Sequence, residues 1–564
     1  MTFAIVACMD YGNAIANEAI AHEAAQSMRL TPVAEETVTI SKAAYVRLIV
    51  GVSFYKWEHE RSVKQVGKLT QEIEDLQGQI RDLQQRLFGR KTEKSSSGKG
   101  SERRHPESGE AGGARGQQPG SQGHGRTLLP NLPIVEQEVD LDEDKKQCPR
   151  CGTAFIPSTL TQESETIEVE VSAHIRRVKR KCYRPGCQCD VVPGIIAAPV
   201  EPRVIPRCKL SLAGLVELLI DKYHYCRPTH RLLQSWETLG LKVAPGTVIG
   251  WFKQLMPLFE PLLAAFRAKQ LTEGLCNLDE TIWYVHERIE GKASTRWYLW
   301  LARSRSVCYY ILDPSRSASV PINHFADLLV ETIAVCDRYK AYHKMARIIG
   351  MLLAFCWAHV RRDFLKCARS YPQLSIWAAD WVDRIGLLYH LNEKRLEVLT
   401  DAPAFAKADA LLIQHLEAMA AVRDQSLADK NLHAEARKVL ESLSNHWAGL
   451  TVFVAHPEVP LDNNSAEQAV RNPVCGRKNY FGSVTKWAGE LAAMMFTLFM
   501  TLTLCWQINP RLWLREYLQA CAANGGQPPQ DLTPFLPWTM DRERLAFFRG
   551  PVPDSSPFAR RDTS

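Results

Sequence analysis

The chain has 564 residues, of which 46% are apolar and 23% charged, and its formal net charge at pH 7 is +7. It is too long for one ordinary core and too apolar for a disordered chain, so we expect a globular protein of several domains. The positive charge is clustered, which suits a polyanionic partner such as nucleic acid. The 16 cysteines are scattered. That pattern favours reduced thiols over a disulfide framework and predicts a cytoplasmic protein.

The first segment, residues 1–55, shows no clear pattern and is interpreted as a leader. Its acidic Asp10 and the lack of a basic start before a long apolar core argue against a signal peptide. A coiled coil is predicted over residues 56–89, where apolar residues recur at alternating spacings of three and four: Val66, Leu69, Ile73, Leu76, Ile80, Leu83 and Leu87. This seam predicts a homo-oligomer. The alternative is an amphipathic helix packed on its own protein.

Residues 90–130 are rich in Gly, Ser, Gln and basic residues, which predicts a flexible basic linker. A small zinc-binding module is predicted next, over residues 145–195. "CPRC" supplies one pair of thiols, and "KCYRPGCQCD" supplies three more: Cys148 and Cys151, then Cys182, Cys187 and Cys189. Two thiol pairs at this separation suit a tetrahedral Zn²⁺. We favour Cys182 and Cys187 for the second pair, with Cys189 as the alternative.

Two features near this module indicate contact with DNA. "HIRRVKRK" predicts a strand whose cations face DNA beside the zinc, namely Arg176, Arg177, Lys179 and Arg180. The alternative is a solvated sheet edge protected by charge. Residues 205–268 read as a helical DNA-binding region, in which a helix, a Gly-containing turn and a second helix opening near Pro245 resemble a helix-turn-helix.

From residue 275 the pattern changes to short strands. "LCNLDETIWYVHER", "TRWYLWLARS" and "VCYYILDP" predict an antiparallel meander. A helix near 321–330, the strand "ETIAVCD", the helix "RYKAYHKMAR" and the strand "GMLLAFCWAH" follow, so the order is β-β-β-α-β-α-β. Residues 360–450 look wholly helical. The apolar run 491–508 contains four threonine or glutamine residues, so we interpret it as a buried helix and expect no membrane contact.

Two aspartates lie on strands of this sheet. Asp279 is within the first strand and Asp337 ends the strand after the first helix, so the two would meet if those strands are neighbours. Paired carboxylates of this kind hold Mg²⁺, which can activate a nucleophile at a phosphodiester. Glu467 is the candidate third carboxylate. Its alternative role is a capping box in which Asn464 caps a helix and Glu467 returns to its backbone.

Five motifs, in order, carry a family resemblance: "LDET", "CDRYKAY", "CWAHVRRDF", "DNNSAEQAVRNPVCGRKNYFGS" and "FLPW". They resemble the motifs of the transposases of the insertion sequence 66 family. The resemblance implies an α+β multidomain protein with a ribonuclease H-like mixed α/β catalytic domain over residues 272–367 and 451–510. An all-helical insertion, residues 368–450, interrupts that domain, and a C-terminal tail, residues 511–564, follows it.

The resemblance also implies the roles of the site residues. Asp279, Asp337 and Glu467 would form a DDE triad that holds Mg²⁺ or Mn²⁺. Basic side chains near the triad would contact DNA: Arg471, Arg477, Lys478, His359, Arg361 and Arg362. Asn463 and Asn464 would orient the start of the helix that carries Glu467.

The implied function is that of a DNA transposase, which binds the ends of an insertion element and carries out metal-dependent cleavage and strand transfer. Its partners would be double-stranded DNA, as element ends and as target, and accessory proteins of the element. Two alternatives remain: another two-metal nuclease, such as a ribonuclease H or junction resolvase, and a non-catalytic DNA-binding regulator derived from a transposase.

Overall fold

A computed structural model describes residues 41–88, 136, 140, 142, 145–147, 149–154, 156, 171–184, 195–292 and 294–550. The chain divides into two compact units, Met1–Lys94 and Ser95–Ser564. In the first unit, α1 (Lys42–Phe88) is a single helix of 47 residues, which begins well before the predicted start at residue 56. The seam residues Val66, Leu69, Ile73, Leu76 and Ile80 are each between 49% and 62% exposed. The pairing of two such helices stays a prediction.

The second unit begins its regular structure with a two-residue ladder. β1 (Cys182–Tyr183) pairs antiparallel with β2 (Ile196–Ala197). The strand expected across "HIRRVKRK" is absent, since residues 171–181 are described but carry no regular secondary structure. The side chains of residues 171–184 are all exposed. Among the described residues no strand pairs along 171–181, so the backbone joins no ladder there and β propensity alone does not make a strand.

Four helices precede the sheet: α2 (Leu212–Leu219), α3 (Thr229–Thr238), α4 (Pro245–Leu255) and α5 (Glu260–Gln270). A π-helical turn, Ile220–His224, continues α2, and a 3₁₀ turn, Met256–Phe259, joins α4 to α5. Between α3 and α4 the chain turns at Gly240, whose φ of 80° is unfavourable for residues with a Cβ. The helix, glycine turn and helix beginning at Pro245 lie where the sequence predicted them.

A five-stranded mixed sheet forms the centre of the second unit. Its strands are β3 (Leu275–Tyr284), β4 (Arg296–Ser304), β5 (Cys308–Asp313), β6 (Ile333–Cys336) and β7 (Leu352–Phe355). The spatial order is β5-β4-β3-β6-β7, antiparallel through β5, β4 and β3 and parallel from β3 to β6 and β7. The predicted meander and the mixed α/β class are therefore confirmed.

Helices cover one face of the sheet. They are α6 (Ser319–His324), α7 (Lys340–Ile349), α8 (Trp357–Ser370), α9 (Ser375–Glu397), α10 (Ala402–Ala428), α11 (Ala434–Asn445), α12 (Trp447–Leu450) and α13 (Val452–Ala455), with a 3₁₀ turn at Pro372–Leu374. Their core includes Trp300 and Phe364. The helix predicted near 321–330 is shorter and earlier, ending at His324. The region 360–450 is helical as predicted.

The opposite face packs against α2 to α5 and the last helices: α14 (Asn464–Tyr480), α15 (Lys486–Met500), α16 (Pro510–Ala523) and α17 (Arg542–Arg549). A π-helical turn, Thr501–Cys505, extends α15, and two 3₁₀ turns, Thr533–Phe535 and Pro537–Thr539, precede α17. Lys486–Cys505 has the length and apolar composition of a membrane span, and 67% of its apolar window is buried inside the protein. This agrees with the prediction of a core helix.

The described part of the predicted tail is an integral part of this core. Trp513, Tyr517 and Phe548 are fully buried, and Trp513 stacks on Tyr517 at 5.3 Å between ring centroids. The Tyr517 hydroxyl donates to the carbonyl of Leu258, which lies between α4 and α5. Residues 511–550 thus pack onto the helical region that precedes the sheet, because both segments contribute apolar faces to one layer.

Candidate active site

The two aspartates lie side by side on neighbouring strands. β3 and β6 are parallel, and their register pairs Asn277 with Val335. Asp279 lies two residues further along β3 and Asp337 directly follows the last residue of β6, so the same register brings the two aspartates level. Side chains directly opposite each other in a ladder point to the same face of the sheet, and for this pair it is the α14 face. The sequence predicted this juxtaposition on the condition that the strands were neighbours, and they are.

Asn463 joins the start of α14 to this part of the sheet. Its side chain is buried, donates to the Leu278 carbonyl at 2.8 Å and accepts from the Asn277 side chain at 2.8 Å. Its backbone N–H donates to the Cys356 thiol at 3.2 Å. Asn463 therefore sets the position of the first turn of α14, in which Glu467 lies. This agrees with the orienting role predicted for it.

Glu467 does not form a capping box. Asn463, not Asn464, is the N-cap residue, and its side chain makes no capping bond. A capping box pairs the N-cap residue with the residue three positions later, which is Ala466 here and not Glu467. The amide of Asn464 instead donates to Asp462 at 2.6 Å. The Glu467 carboxylate accepts a hydrogen bond from Arg362 of α8, with 2.5 Å between Oε1 and Nη2. The capping-box alternative is therefore wrong.

The three carboxylates share one electrostatic environment. Burial raises the pKa of Asp279 to about 7, with smaller contributions from the negative charges of Glu280, Asp337 and Glu467. Its Oδ1 accepts from the Glu280 N–H at 2.8 Å, which opposes the rise. A cation bound beside Asp279 would favour the ionised form of this carboxyl group.

His359 and Arg362, both on α8, border the same site. Burial lowers the pKa of His359, as does the Arg362 charge, whereas Asp337 and Glu467 act in the opposite direction. Among the described residues, the Nδ1 atom of His359 is one of the buried polar atoms without a hydrogen-bond partner. A buried polar atom left unpaired at a charged site marks a position that a substrate or solvent group can complete.

A network of side chains that the sequence reasoning missed supports the two aspartates. Glu280 is only 4% exposed; it accepts from Arg316, including one bond of 2.9 Å from Nε, and from the Tyr342 hydroxyl. The Arg316 guanidinium lies 4.1 Å from the centre of the Tyr339 ring, and the Tyr339 N–H donates to Asp337 at 2.9 Å. Glu280 is part of the motif "LDET", which could have indicated its role, whereas no motif around Arg316 indicated a role for that residue.

A family model described as "Transposase IS66 family" matches residues 210–491, half of the chain. The chain belongs to the IS66 transposase family. All three candidate carboxylates lie within the matched residues, and the predicted family resemblance is confirmed.

Relatives of this IS66 family member include two uncharacterized proteins of Sinorhizobium fredii (strain NBRC 101917 / NGR234). The protein y4jD is 23% identical over 73% of this chain and 81% of its own length. The protein y4hP is also 23% identical, over 73% of this chain and 76% of its own length. Both alignments cover 73% of this chain.

Solved structures with partial similarity include the Mos1 Strand Transfer Complex, at 15% identity, covering 26% of this chain and 59% of that chain, with a TM-score of 0.11. A Mos1 transposase paired-end complex with left transposon end is 12% identical, covering 32% of this chain and 73% of that chain, with a TM-score of 0.12. Structural overlaps with TM-scores this low give no information about the fold or function of this family member.

The predicted DNA-binding cations fall into two groups in this IS66 family member. Arg361, Arg471 and Lys478 are exposed. Arg477 is half-buried and donates to the Thr281 hydroxyl at 3.0 Å and to the Ile282 carbonyl. Its guanidinium therefore ties α14 to β3 through Nη1, a role that the motif "GRKNYFG" did not reveal.

No group of three or more His, Cys, Asp or Glu side chains within the described ranges is already arranged to hold a metal. Of the predicted zinc ligands, Cys151 and Cys182 are described and exposed. Cys148, Cys187 and Cys189 lie outside the described residues. The four cations of "HIRRVKRK" that were predicted to contact DNA are all exposed; Arg176 pairs with Glu201, and Arg180 donates to the Ala198 carbonyl at 2.9 Å.

Proposed function

We propose that this protein is a DNA transposase that binds the ends of its insertion element, cleaves a phosphodiester bond there and joins the freed end to target DNA. The convergence of Asp279, Asp337 and Glu467 on one face of the sheet carries the proposal. Family membership supports the reaction class. We assign residues 272–367 and 451–510 to a ribonuclease H-like catalytic domain, an assignment that the mixed sheet and its strand order support.

The donor set fits a divalent cation. Carboxylate oxygens are the ligands that Mg²⁺ and Mn²⁺ prefer, and a cation would oppose the burial and the neighbouring negative charges that raise the pKa of Asp279. Asp279, Asp337 and Glu467 would hold it. When bound, such ions activate a nucleophile and stabilise the leaving oxygen of a phosphodiester. Glu467 would exchange its bond to Arg362 for this role.

The other residues of the site would position the three carboxylates and bind DNA. Asn463 fixes the first turn of α14, while Glu280, Arg316 and Tyr342 hold the β3 and β6 ends from the opposite face. Exposed cations, including Arg361, Arg471 and Lys478, would bind DNA phosphates, which fixes the DNA without reading its sequence. The helical region 205–268 would add a second DNA contact.

Carboxylate-to-amide substitutions test the triad. Asp279→Asn, Asp337→Asn and Glu467→Gln each keep the shape of the side chain and remove its charge. We expect each to lower the rate of element-end cleavage by several orders of magnitude, because the three ligands act as a unit. Binding of the same DNA in a gel-shift assay should survive. Inverted repeats in the DNA flanking the gene would supply the substrate sequence.

Asp380→Asn is a matched control, because Asp380 forms an exposed ion pair with Arg384 in the helical insertion. It should cleave like wild type. Glu467→Gln should lower the free energy of unfolding by at most about 1 kcal/mol, since its pair with Arg362 is partly exposed to solvent. Near wild-type cleavage by Glu467→Gln would remove this residue from the site.

We also propose that Cys148, Cys151, Cys182 and Cys187 bind one structural Zn²⁺, with Cys189 as the alternative ligand. A compartment that keeps thiols reduced, the cytoplasm, suits such a site. Elemental analysis of the purified protein should find zinc, and Cys148→Ser should lose it whereas Cys189→Ser should not. A zinc-free protein, or the reverse response of the two variants, would overturn this ligand set.

A further inference from the structure

An exposed aromatic ring stands at the end of the helix that carries Glu467. Phe481 is the C-cap residue of α14, with φ of 58° and ψ of 28°, and its side chain is 71% exposed. A bulky residue in the left-handed region is uncommon, and glycine normally occupies such a position. The backbone at Phe481 is therefore strained, although its large apolar ring lies mostly in solvent and gains little from burial. Strain that packing does not explain points to a function at this position.

The turn that presents Phe481 is fastened to the end of β3. The Ser483 N–H donates to the Tyr284 carbonyl at 2.8 Å, and the His286 N–H donates to the Ser483 carbonyl at 3.0 Å. Gly482 has φ of 89°, and a Cβ there would lie 2.3 Å from the Tyr284 carbonyl oxygen. The backbone on both sides of Phe481 is therefore held against the sheet.

An exposed polar stripe on α14 leads from the turn of Glu467 to this ring. Its members are Asn464, Gln468, Arg471, Cys475 and Lys478, spaced by three or four residues so that they share one face. The stripe contains two cations and no acidic residue. Glu467 and Phe481 are separated by about 21 Å along the helix, which equals the rise of roughly six stacked bases.

We propose that Phe481 is a wedge that stacks on an unpaired or unstacked DNA base about six steps from the bond that the site cleaves. The inference rests on the proposed function, in which the cations of α14 bind the DNA backbone. Those cations would bring a strand along the helix, and exposed aromatic side chains on basic surfaces stack on bases or enter between base steps. DNA suits this surface better than a protein partner, because the neighbours of the ring on α14 are polar or cationic.

Fluorescence anisotropy with two synthetic duplexes of one sequence, one fully paired and one with a short mismatched bubble, tests the wedge. Wild-type protein should bind the bubble about tenfold or more tighter, since stacking on one base is worth that much. Phe481→Gly should lose this preference and still bind the paired duplex through its cations. Phe481→Trp should keep it. Phe547→Ala, which removes a partly exposed phenylalanine from α17, is the matched control and should behave like wild type.

Glycine accepts the left-handed backbone without strain, so Phe481→Gly should melt at the same temperature as wild type or higher. A loss of bubble preference in this variant therefore reflects the missing ring and not a damaged fold. An equal preference in wild type and Phe481→Gly would overturn the wedge and leave the proposed function standing. Failure of wild type to bind either duplex would overturn both.

Discussion

Adjacent carboxylates on β3 have opposite surroundings. Successive side chains of a strand point to opposite faces, so Asp279 faces α14 while Glu280 faces the helices of the other layer. Glu280 pairs with Arg316 and accepts a hydrogen bond from the Tyr342 hydroxyl. Asp279 receives only the Glu280 backbone N–H among the hydrogen bonds of the described residues, and burial raises its pKa. These two adjacent residues of β3 therefore differ in role: Glu280 is a supporting carboxylate, and Asp279 is a candidate metal ligand.

Arg362 and a metal ion would compete for the same carboxylate oxygens of Glu467. We expect Arg362→Gln to bind Mn²⁺ up to about fivefold more tightly in the absence of DNA, because a partly exposed ion pair is worth at most about 1 kcal/mol. Electron paramagnetic resonance titration of free Mn²⁺ measures this directly. Arg369→Gln, on the same helix, should leave the affinity unchanged. Weaker Mn²⁺ binding by Arg362→Gln would contradict the competition.

Among the helices, α14 contains a proline, and a side chain from the sheet supplies the hydrogen bond that this proline removes. Pro473 lies inside this helix and has no N–H, so the carbonyl of Ala469 lacks its usual partner four residues later. The hydroxyl of Tyr310 on β5 donates to that carbonyl at 2.8 Å. The helix therefore stays continuous across its proline because the sheet supplies the missing donor, and the same bond fastens α14 to β5.

Removing that donor should destabilise the protein. We expect Tyr310→Phe to lower the free energy of unfolding by about 1–3 kcal/mol, since a buried carbonyl is left unsatisfied. Urea denaturation followed by tryptophan fluorescence measures the change. Tyr309→Phe makes the same chemical change at a less buried tyrosine on the opposite face of the strand and should cost less. Equal stability of Tyr310→Phe and wild type would show that the bond contributes nothing.

At the scale of the whole molecule, the exposed seam of α1 predicts association between chains. Apolar residues at heptad spacing bury one another when two helices pair, and the proposed joining of two DNA ends would bring more than one chain together. Three heptads alone are marginal, so other contacts should contribute to the oligomer.

Two charges in the seam should weaken this association. We expect Ile73→Asp combined with Leu76→Asp to shift the mass measured by light scattering toward that of the monomer, while circular dichroism shows a folded second unit. Lys64→Asp with Lys68→Asp also adds two aspartates to α1, outside the seam, and should not change the mass. An unchanged mass for the seam variant would refute the prediction.

The type and order of most elements could be predicted from the amino-acid sequence alone. Alternation with period two predicted β3, β4 and β5, and the spacing of three and four predicted α1, because both patterns are written in contiguous residues. The sequence also predicted that Asp279 and Asp337 would meet if their two strands were neighbours in the sheet. The motifs carried the family resemblance that the family model confirmed.

Which groups meet across the chain depends on the packed structure. Arg362 lies on Glu467, Arg477 contacts β3, residues 511–550 lie in the core, and no strand among the described residues pairs with "HIRRVKRK". In each case the outcome depends on a residue or strand far away in sequence, and no local pattern encodes it. Propensity and periodicity specify how a segment folds, whereas the packing of segments specifies what each side chain finally contacts.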